Sequence, residues 1–280
     1  MKIKITSDST CDLSKELLAR YDIDVIPLVV IKNGQVYQDG VNIQPADIFR
    51  HVEQGGALCS TSAVNVEDYR KYFAKFANDY DAVIHINLGS GFSTCCQNAA
   101  IAASEFSNVH IVDSMSLSTG QGQLVIEAAL LAKDGLSPVE ICSRLNEIRG
   151  RVNISFILDR LEYMQKGGRC SSVVALGGKL LKIKPCIAVK EVSLKMVDKY
   201  RGNFEKCIEK YIRDFLKERK ENRAGRIFIT YTDVPPEVLQ AARDAVAKYG
   251  NFDEVLETQA GCTVSCHCGP GTLGVLFLCK

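Results

Sequence analysis

Three short segments carry side chains that could do chemistry: Ser7-Asp8-Ser9-Thr10, Cys59-Ser60-Thr61-Ser62 and Gly89-Ser90-Gly91-Phe92-Ser93-Thr94. Each follows a strand-like run or directly precedes a helix-like one, where an open α/β sheet builds its binding crevice. In the third, the glycines let backbone approach a ligand, and a helix starting at Ser93 aims unpaired N–H groups and its positive dipole end into the loop. Such a loop takes an anion. Taken alone, the same residues also read as an ordinary helix cap with a flexible turn. A fourth group, Cys262, Cys266, His267 and Cys268, raises metal ligation. Structural zinc sites space paired ligands by two to four residues, and three candidates in direct succession without a second pair fit that poorly. Metal is therefore not expected.

A serine hydrolase using Ser93 and His267 is the enzymatic alternative. A nucleophile elbow reads G-x-S-x-G, and Cys95 stands where its last glycine belongs. Neither G-x-x-x-x-G-K-[ST] nor a post-strand G-x-G-x-x-G is present, which disfavours a nucleotide site. His85 and His110 fall inside strand patterns, as packed or edge residues, and His51 sits on an amphipathic helix, exposed.

The elements that must position these residues are legible as alternation. β-Branched runs at residues 3–6, 25–31, 82–87 and 109–112 alternate with helical patterns at 15–21, 46–54, 66–78 and 93–106. Asp12 or Ser14, Pro45, Asn65 and Ser93 signal the helix starts. This predicts an α/β first half with a mainly parallel sheet flanked by helices. Helical stretches at 120–132 and 138–148 lead to a strand at 154–158, which places a domain boundary between residues 153 and 154. Strands at 184–189, 194–199, 226–230, 254–258 and 272–278 follow, with helices at 204–219 and 236–249. The short link 190–193 forces its flanking strands to pair as a hairpin, so residues 154–280 are expected to form an α+β domain with antiparallel strands.

At 280 residues, a net charge of +1 and 46% hydrophobic residues, the chain is long enough for two cores with a cleft between them. Near-neutral charge argues against nucleic acid as a partner. No apolar run approaches the roughly 18 residues of a membrane span. The first residues enter a strand pattern without a leader-like apolar region, so a cytoplasmic location is expected. The twelve cysteines include no C-x-x-C pair and read mostly as small buried residues in a reducing compartment.

The fragments Asp8-Ser9-Thr10-Cys11-Asp12-Leu13, Ser60-Thr61-Ser62, Gly89-Ser90-Gly91-Phe92-Ser93 with Gln97-Asn98-Ala99, and Asp113-Ser114 resemble, in order, signatures of the DegV family. The resemblance continues through Leu161-Glu162-Tyr163-Met164-Gln165-Lys166-Gly167-Gly168-Arg169, Lys182-Ile183-Lys184-Pro185, Arg201-Gly202 and His267-Cys268-Gly269-Pro270-Gly271, covering essentially the whole chain. It implies a carrier without catalysis of its own and without a cofactor. Such a carrier binds a long-chain fatty acid in an apolar tunnel and presents it to a fatty acid kinase subunit, which makes an acyl phosphate for phospholipid synthesis. It implies that Thr61, Ser93 and His267 hold the carboxylate, with Asp39 and Arg169 extending the network. Two departures bear on the site: Ala63-Val64-Asn65 replaces the family's usual Gln-Pro-Ser, and Thr94-Cys95-Cys96 its Gly-Thr-Tyr.

One feature is independent of the resemblance. Residues 160–206 hold eleven Lys or Arg against four Asp or Glu, a net +7 in a chain whose total is +1. Many such lysines simply solvate strand edges. The functional reading is a docking face for the kinase or for transient contact with an anionic membrane, with Lys166, Arg169, Lys184 and Arg201 as contacts.

Overall fold

A computed structural model describes residues 1–174, 183–217 and 223–279, the side chains of Arg223 and Ala224 excepted. The order is β1 (Ile3–Asp8), α1 (Lys15–Arg20), β2 (Ile23–Ile26), β3 (Val29–Lys32), β4 (Gln35–Gln38), α2 (Pro45–Glu53), β5 (Ser60–Ser62), α3 (Val66–Ala77), β6 (Ala82–Asn87), α4 (Cys95–Ala103), β7 (Val109–Asp113), α5 (Thr119–Lys133) and α6 (Pro138–Ile148). There follow β8 (Val152–Leu158), α7 (Glu162–Gly167), α8 (Ser171–Val174), β9 (Ile183–Lys190), β10 (Ser193–Arg201), α9 (Phe204–Lys217), β11 (Arg223–Tyr231), α10 (Pro236–Tyr249), β12 (Glu254–Gln259), α11 (Cys262–Cys268) and β13 (Thr272–Cys279).

The fold class is as the alternation indicates. A parallel sheet, order β2-β1-β6-β7, is flanked by helices. All six residues of β6 are buried, as a strand covered on both faces requires. A second sheet, order β10-β9-β8-β13-β11-β12, is antiparallel except for the β11–β12 pair. The β9–β10 hairpin forms, and Glu191 and Val192 at its tip take positive φ of 49° and 54°. Two successive positive φ values make the turn whose twist matches a hairpin, a conformation costly for a β-branched residue.

One expected strand divides. Residues 25–31 contribute Val25 and Ile26 to the parallel sheet and Val29 onward to a separate antiparallel sheet, order β4-β3-β5. Pro27 stands at the break, and a residue without an N–H ends the ladder there. The helix beginning at Phe204 runs to Lys217, and residues 218 and 219 of the expected span lie outside the described residues, as do Lys179 and Lys182 of the basic segment.

Helix α5 lies between the two large sheets, and residues 119–126 are buried without interruption. Its polar side chains therefore bond across the interface. Gln121 reaches Ser7 Oγ (2.9 Å) and Asp8 on β1, Gln123 reaches the carbonyls of Arg226 and Leu276, and Thr119 bonds Thr230 (2.6 Å). No helix among the described residues is long and apolar enough to cross a membrane.

The histidines outside the loops divide as well. His85 is fully buried among Tyr69, Tyr72 and Phe73, with Nδ1 2.9 Å from Thr6 Oγ1. His51, expected to be exposed, is half-buried, because its ring packs so tightly over Gly56 that a Cβ there would fall inside it. Burial pushes His85 down to about 3, below the ordinary value near 6.5. A histidine kept neutral in the native state contributes stability that is full above pH 6.5 and lost as pH falls toward 3. Between pH 7 and pH 5 that contribution falls by about 2 kcal/mol. Urea melts at the two pH values should show the loss, and it should shrink in His85→Phe; an unchanged pH dependence in that variant would contradict the assignment.

Candidate functional site

Thr61 lies in β5, paired with Val30, so its side chain is set by a three-residue strand rather than a mobile turn. His267 lies on α11, in the other half of the chain. The two meet: Thr61 Oγ1 is 2.9 Å from His267 Nε2, across 206 residues of sequence. Nδ1 of His267 is buried without a hydrogen-bond partner and faces Gly167, where an added Cβ would come within 2.8 Å of it. Gly167 is thus a close-approach glycine. Burial, and then the positive charge of Arg169, push His267 down to about 4, so it is neutral at pH 7.

Helix α11 has no cap of its own, since its N-cap is Gly261. Carboxylates from the first half supply the acceptors. Asp12 accepts from Gly261 N (2.8 Å), and Asp39 accepts from Cys262 N (2.7 Å), Thr263 N (3.0 Å), Thr263 Oγ1 (2.7 Å) and Ser9 Oγ (3.1 Å). Acceptors at a helix N-terminus satisfy its otherwise unpaired N–H groups, and here the two carboxyls fix the helix that presents His267. Burial pushes Asp12 up to about 8. Ser118, which donates to Asp12 (2.5 Å), sits at φ 53° and ψ −146°, a strained backbone that this bond helps to hold.

Thr61, Ser93, Arg169 and His267 all line one hollow, with Thr10, Ser62 and Thr263 adding hydroxyls. Asp39 does not line it. Its carboxylate is engaged at the start of α11. The remaining walls are apolar, among them Leu28, Leu88, Phe92, Leu117, Phe156, Met164, Leu194, Val264 and Cys268. The space free of protein atoms is about 680 Å³, part of it open to solvent. A second hollow of about 350 Å³ shares Leu117, Phe156, Val264 and Cys268 and continues to Ile154, Gly274 and Leu276 on the second sheet. Hydroxyls, His267 and Arg169 thus share one hollow with apolar walls, and a second, mostly apolar hollow borders it along the second sheet.

Ser93 precedes α4, whose helical residues begin at Cys95. Its hydroxyl accepts from Cys95 N and lies 3.2 Å from Cys95 Sγ. No hydrogen bond joins it to His267 among the described residues, and no carboxylate orients His267 Nδ1. The nucleophile–base–acid relay of a serine hydrolase is therefore not assembled. Neither Cys95 nor Cys96 lines the hollow. Above the loop, a Cβ on Gly91 would come within 2.2 Å of Val192 O, so the glycine admits the β9–β10 tip.

The C-terminal cysteines part company. Cys262 Sγ reaches Ile43 O (3.3 Å), Cys266 packs on Cys59, and Cys268 is in the core. Among the described residues no three His, Cys, Asp or Glu side chains gather as a metal cluster. Of the basic candidates, Lys166, Arg169 and Arg201 are exposed, whereas Lys184 is largely buried in an ion pair with Asp159.

Sequence reasoning did not find Asp12 as a partner of α11, Gly167 as the glycine beneath the imidazole, or Thr263 as a lining hydroxyl, whereas Thr10 belongs to the first of the three loops it singled out. Only Gly167 left a signal, as the first of two successive glycines.

The family described as "Uncharacterised protein, DegV family" matches residues 2–280. A DegV domain-containing protein of Caldanaerobacter subterraneus is 32% identical over 279 residues, 99% of this chain and 98% of the relative. A structure of a DegV family protein from Thermus thermophilus, described for its fatty acid binding, is 29% identical, with a TM-score of 0.92 over 100% of both chains. Bacillus subtilis DegV, described as a fatty acid binding protein, is 28% identical, with a TM-score of 0.87 over 100% of both chains. The chain belongs to the DegV family.

Proposed function

We propose that this protein binds a long-chain fatty acid, its carboxylate held at the mouth by Thr61, Ser93 and His267 with Arg169 nearby, and its tail along the apolar hollows. The observation that carries this reading is the Thr61–His267 pair standing among hydroxyls in a hollow with apolar walls. The fatty-acid binding described for the Thermus and Bacillus proteins supports it. An ionised carboxylate only accepts hydrogen bonds, so it takes O–H from Thr61 and Ser93. A neutral His267 donating Nε2–H to Thr61 Oγ1 turns that hydroxyl's proton toward the ligand. At about 0.8 kcal/mol per methylene, burying some fourteen methylenes contributes roughly 11 kcal/mol before ordering costs.

Residues 1–153 and 154–280 act in this reading as two units closing on the lipid. In this reading the protein is a carrier rather than an enzyme, which the fatty-acid binding described for its Thermus and Bacillus relatives supports. It presents the carboxylate to a partner kinase for acyl-phosphate formation in the cytoplasm, with the exposed Lys166 and Arg201 on the docking side and Lys184 engaged instead with Asp159. Denaturing extraction of protein purified from a bacterial host, followed by mass spectrometry, should release about one fatty acid per chain. Protein free of stoichiometric lipid that also fails to take up added fatty acid would defeat the reading.

A further inference from the structure

Cys59 stands two residues before Thr61, and Cys266 immediately before His267. The two thiols lie against each other within one buried cluster that also contains Val30, Tyr163 and Cys262. They therefore join the same two segments, the β5 edge and α11, that the Thr61–His267 bond joins. We propose that Cys59 and Cys266 form a reversible thiol–disulfide latch that, when oxidised, fixes the two arms of the fatty-acid head-group clamp together. The latch rests on the fatty-acid reading for its effect, but not for its chemistry.

The two sulfurs are chemically unequal. Donation from the Cys266 thiol, with the charge of Lys32 adding to it, holds Cys59 below the ordinary thiol range. Cys266 is pushed upward by the same contact and by burial. The thiolate is the nucleophile, so Cys59 reacts first. It is 8% exposed, against 3% for Cys266, which favours the same order. With a hydroperoxide as oxidant, the Cys59 sulfur attacks the distal oxygen and the O–O bond breaks. This gives a sulfenic acid and, after proton uptake, water or an alcohol. The Cys266 sulfur then attacks the sulfenic sulfur, the S–S bond forms, and the hydroxyl leaves as water with the Cys266 proton. Two thiols are oxidised and one peroxide is reduced.

A disulfide confines its Cα atoms to about 4.4–6.8 Å. β5 and α11 then cannot separate at residues 59 and 266, and a carboxylate gripped by their neighbours leaves more slowly. The test uses the full chain exposed to hydrogen peroxide, then alkylated, digested and analysed by mass spectrometry. The exchange of a fluorescent fatty acid is followed in parallel. A peptide linked through Cys59 and Cys266 is expected, with exchange at least tenfold slower, restored by dithiothreitol and unaffected by peroxide in Cys59→Ser and Cys266→Ser. Failure of the linked peptide to form, or its formation with an unchanged exchange rate, would overturn the latch. A linked peptide in a protein that takes up no fatty acid would instead overturn the ligand assignment and leave the thiol chemistry standing.

Discussion

Asp39→Ala should lose about 3–5 kcal/mol of folding stability, because four donors aimed at one buried carboxylate lose their acceptor together. Asp39 is 4% exposed, so water does not readily replace it. Two of those donors are backbone N–H groups of the first turn of α11, and Gly261 offers no side-chain oxygen in exchange. A Cβ at position 261 would stand 3.0 Å from Asp12 and 3.3 Å from Asp39, so a side chain there would press on both carboxyls. At about 2–4 °C per kcal/mol for a chain of this size, the melting midpoint should drop by about 10 °C. Asp39→Asn keeps one acceptor oxygen and should recover about half of the loss. Both variants should also release fatty acid faster, since the frayed helix carries His267. Calorimetry with parallel lipid-release assays checks this, and a midpoint within a degree or two of wild type in Asp39→Ala would show that the cap is dispensable. On the proposed reading Asp39 acts on the head-group site through α11 rather than by touching the ligand.

That division of labour explains what the sequence revealed and what it hid. The parallel sheet was readable because β1, β6 and β7 are β-branched runs separated by helices with local start signals: Pro45 opens α2, and Asn65 accepts from Asp68 N at the start of α3. The hairpin β9–β10 was readable from the length of its link. Helix α11 was not, because Cys-Thr-Val-Ser-Cys-His-Cys has no helical periodicity, and its cap comes from Asp12 and Asp39, more than 200 residues away. β5 is three hydroxyl residues long and has no strand signature of its own; β3 makes it a strand. The break at Pro27 was written in the sequence, yet hydrophobicity on both sides of it masked the change of sheet.

The site was legible in a different sense. Loop composition alone pointed to an anion at Ser93, but nothing in spacing joins Thr61 to His267. That pairing came from resemblance, and the fold brings the two within hydrogen-bond distance. No spacing or periodicity reveals the apolar hollow, since its walls come from the turn after β1, Leu28 ahead of β3, and from β5, α7, β8, β10 and α11 at once.

The Thr61–His267 bond makes a sharper prediction than single substitutions do. If His267 orients the Thr61 proton toward the carboxylate, removing the imidazole leaves a hydroxyl free to rotate away, and removing the hydroxyl leaves the imidazole nothing to orient. Thr61→Ala and His267→Ala should each weaken fatty-acid binding by about 1–3 kcal/mol, roughly 5- to 150-fold. The double variant should lose little more than the worse single one, a coupling of about 1 kcal/mol or more. Ser93 stands on a separate element and bonds locally to Cys95, so Ser93→Ala should add its loss to either variant in full. Equilibrium titration with a fluorescent fatty acid measures all four corners of each cycle, with circular dichroism confirming that the variants are folded. Strict additivity between Thr61 and His267 would mean that the two contact the ligand independently, and the orienting role of the imidazole would have to be given up.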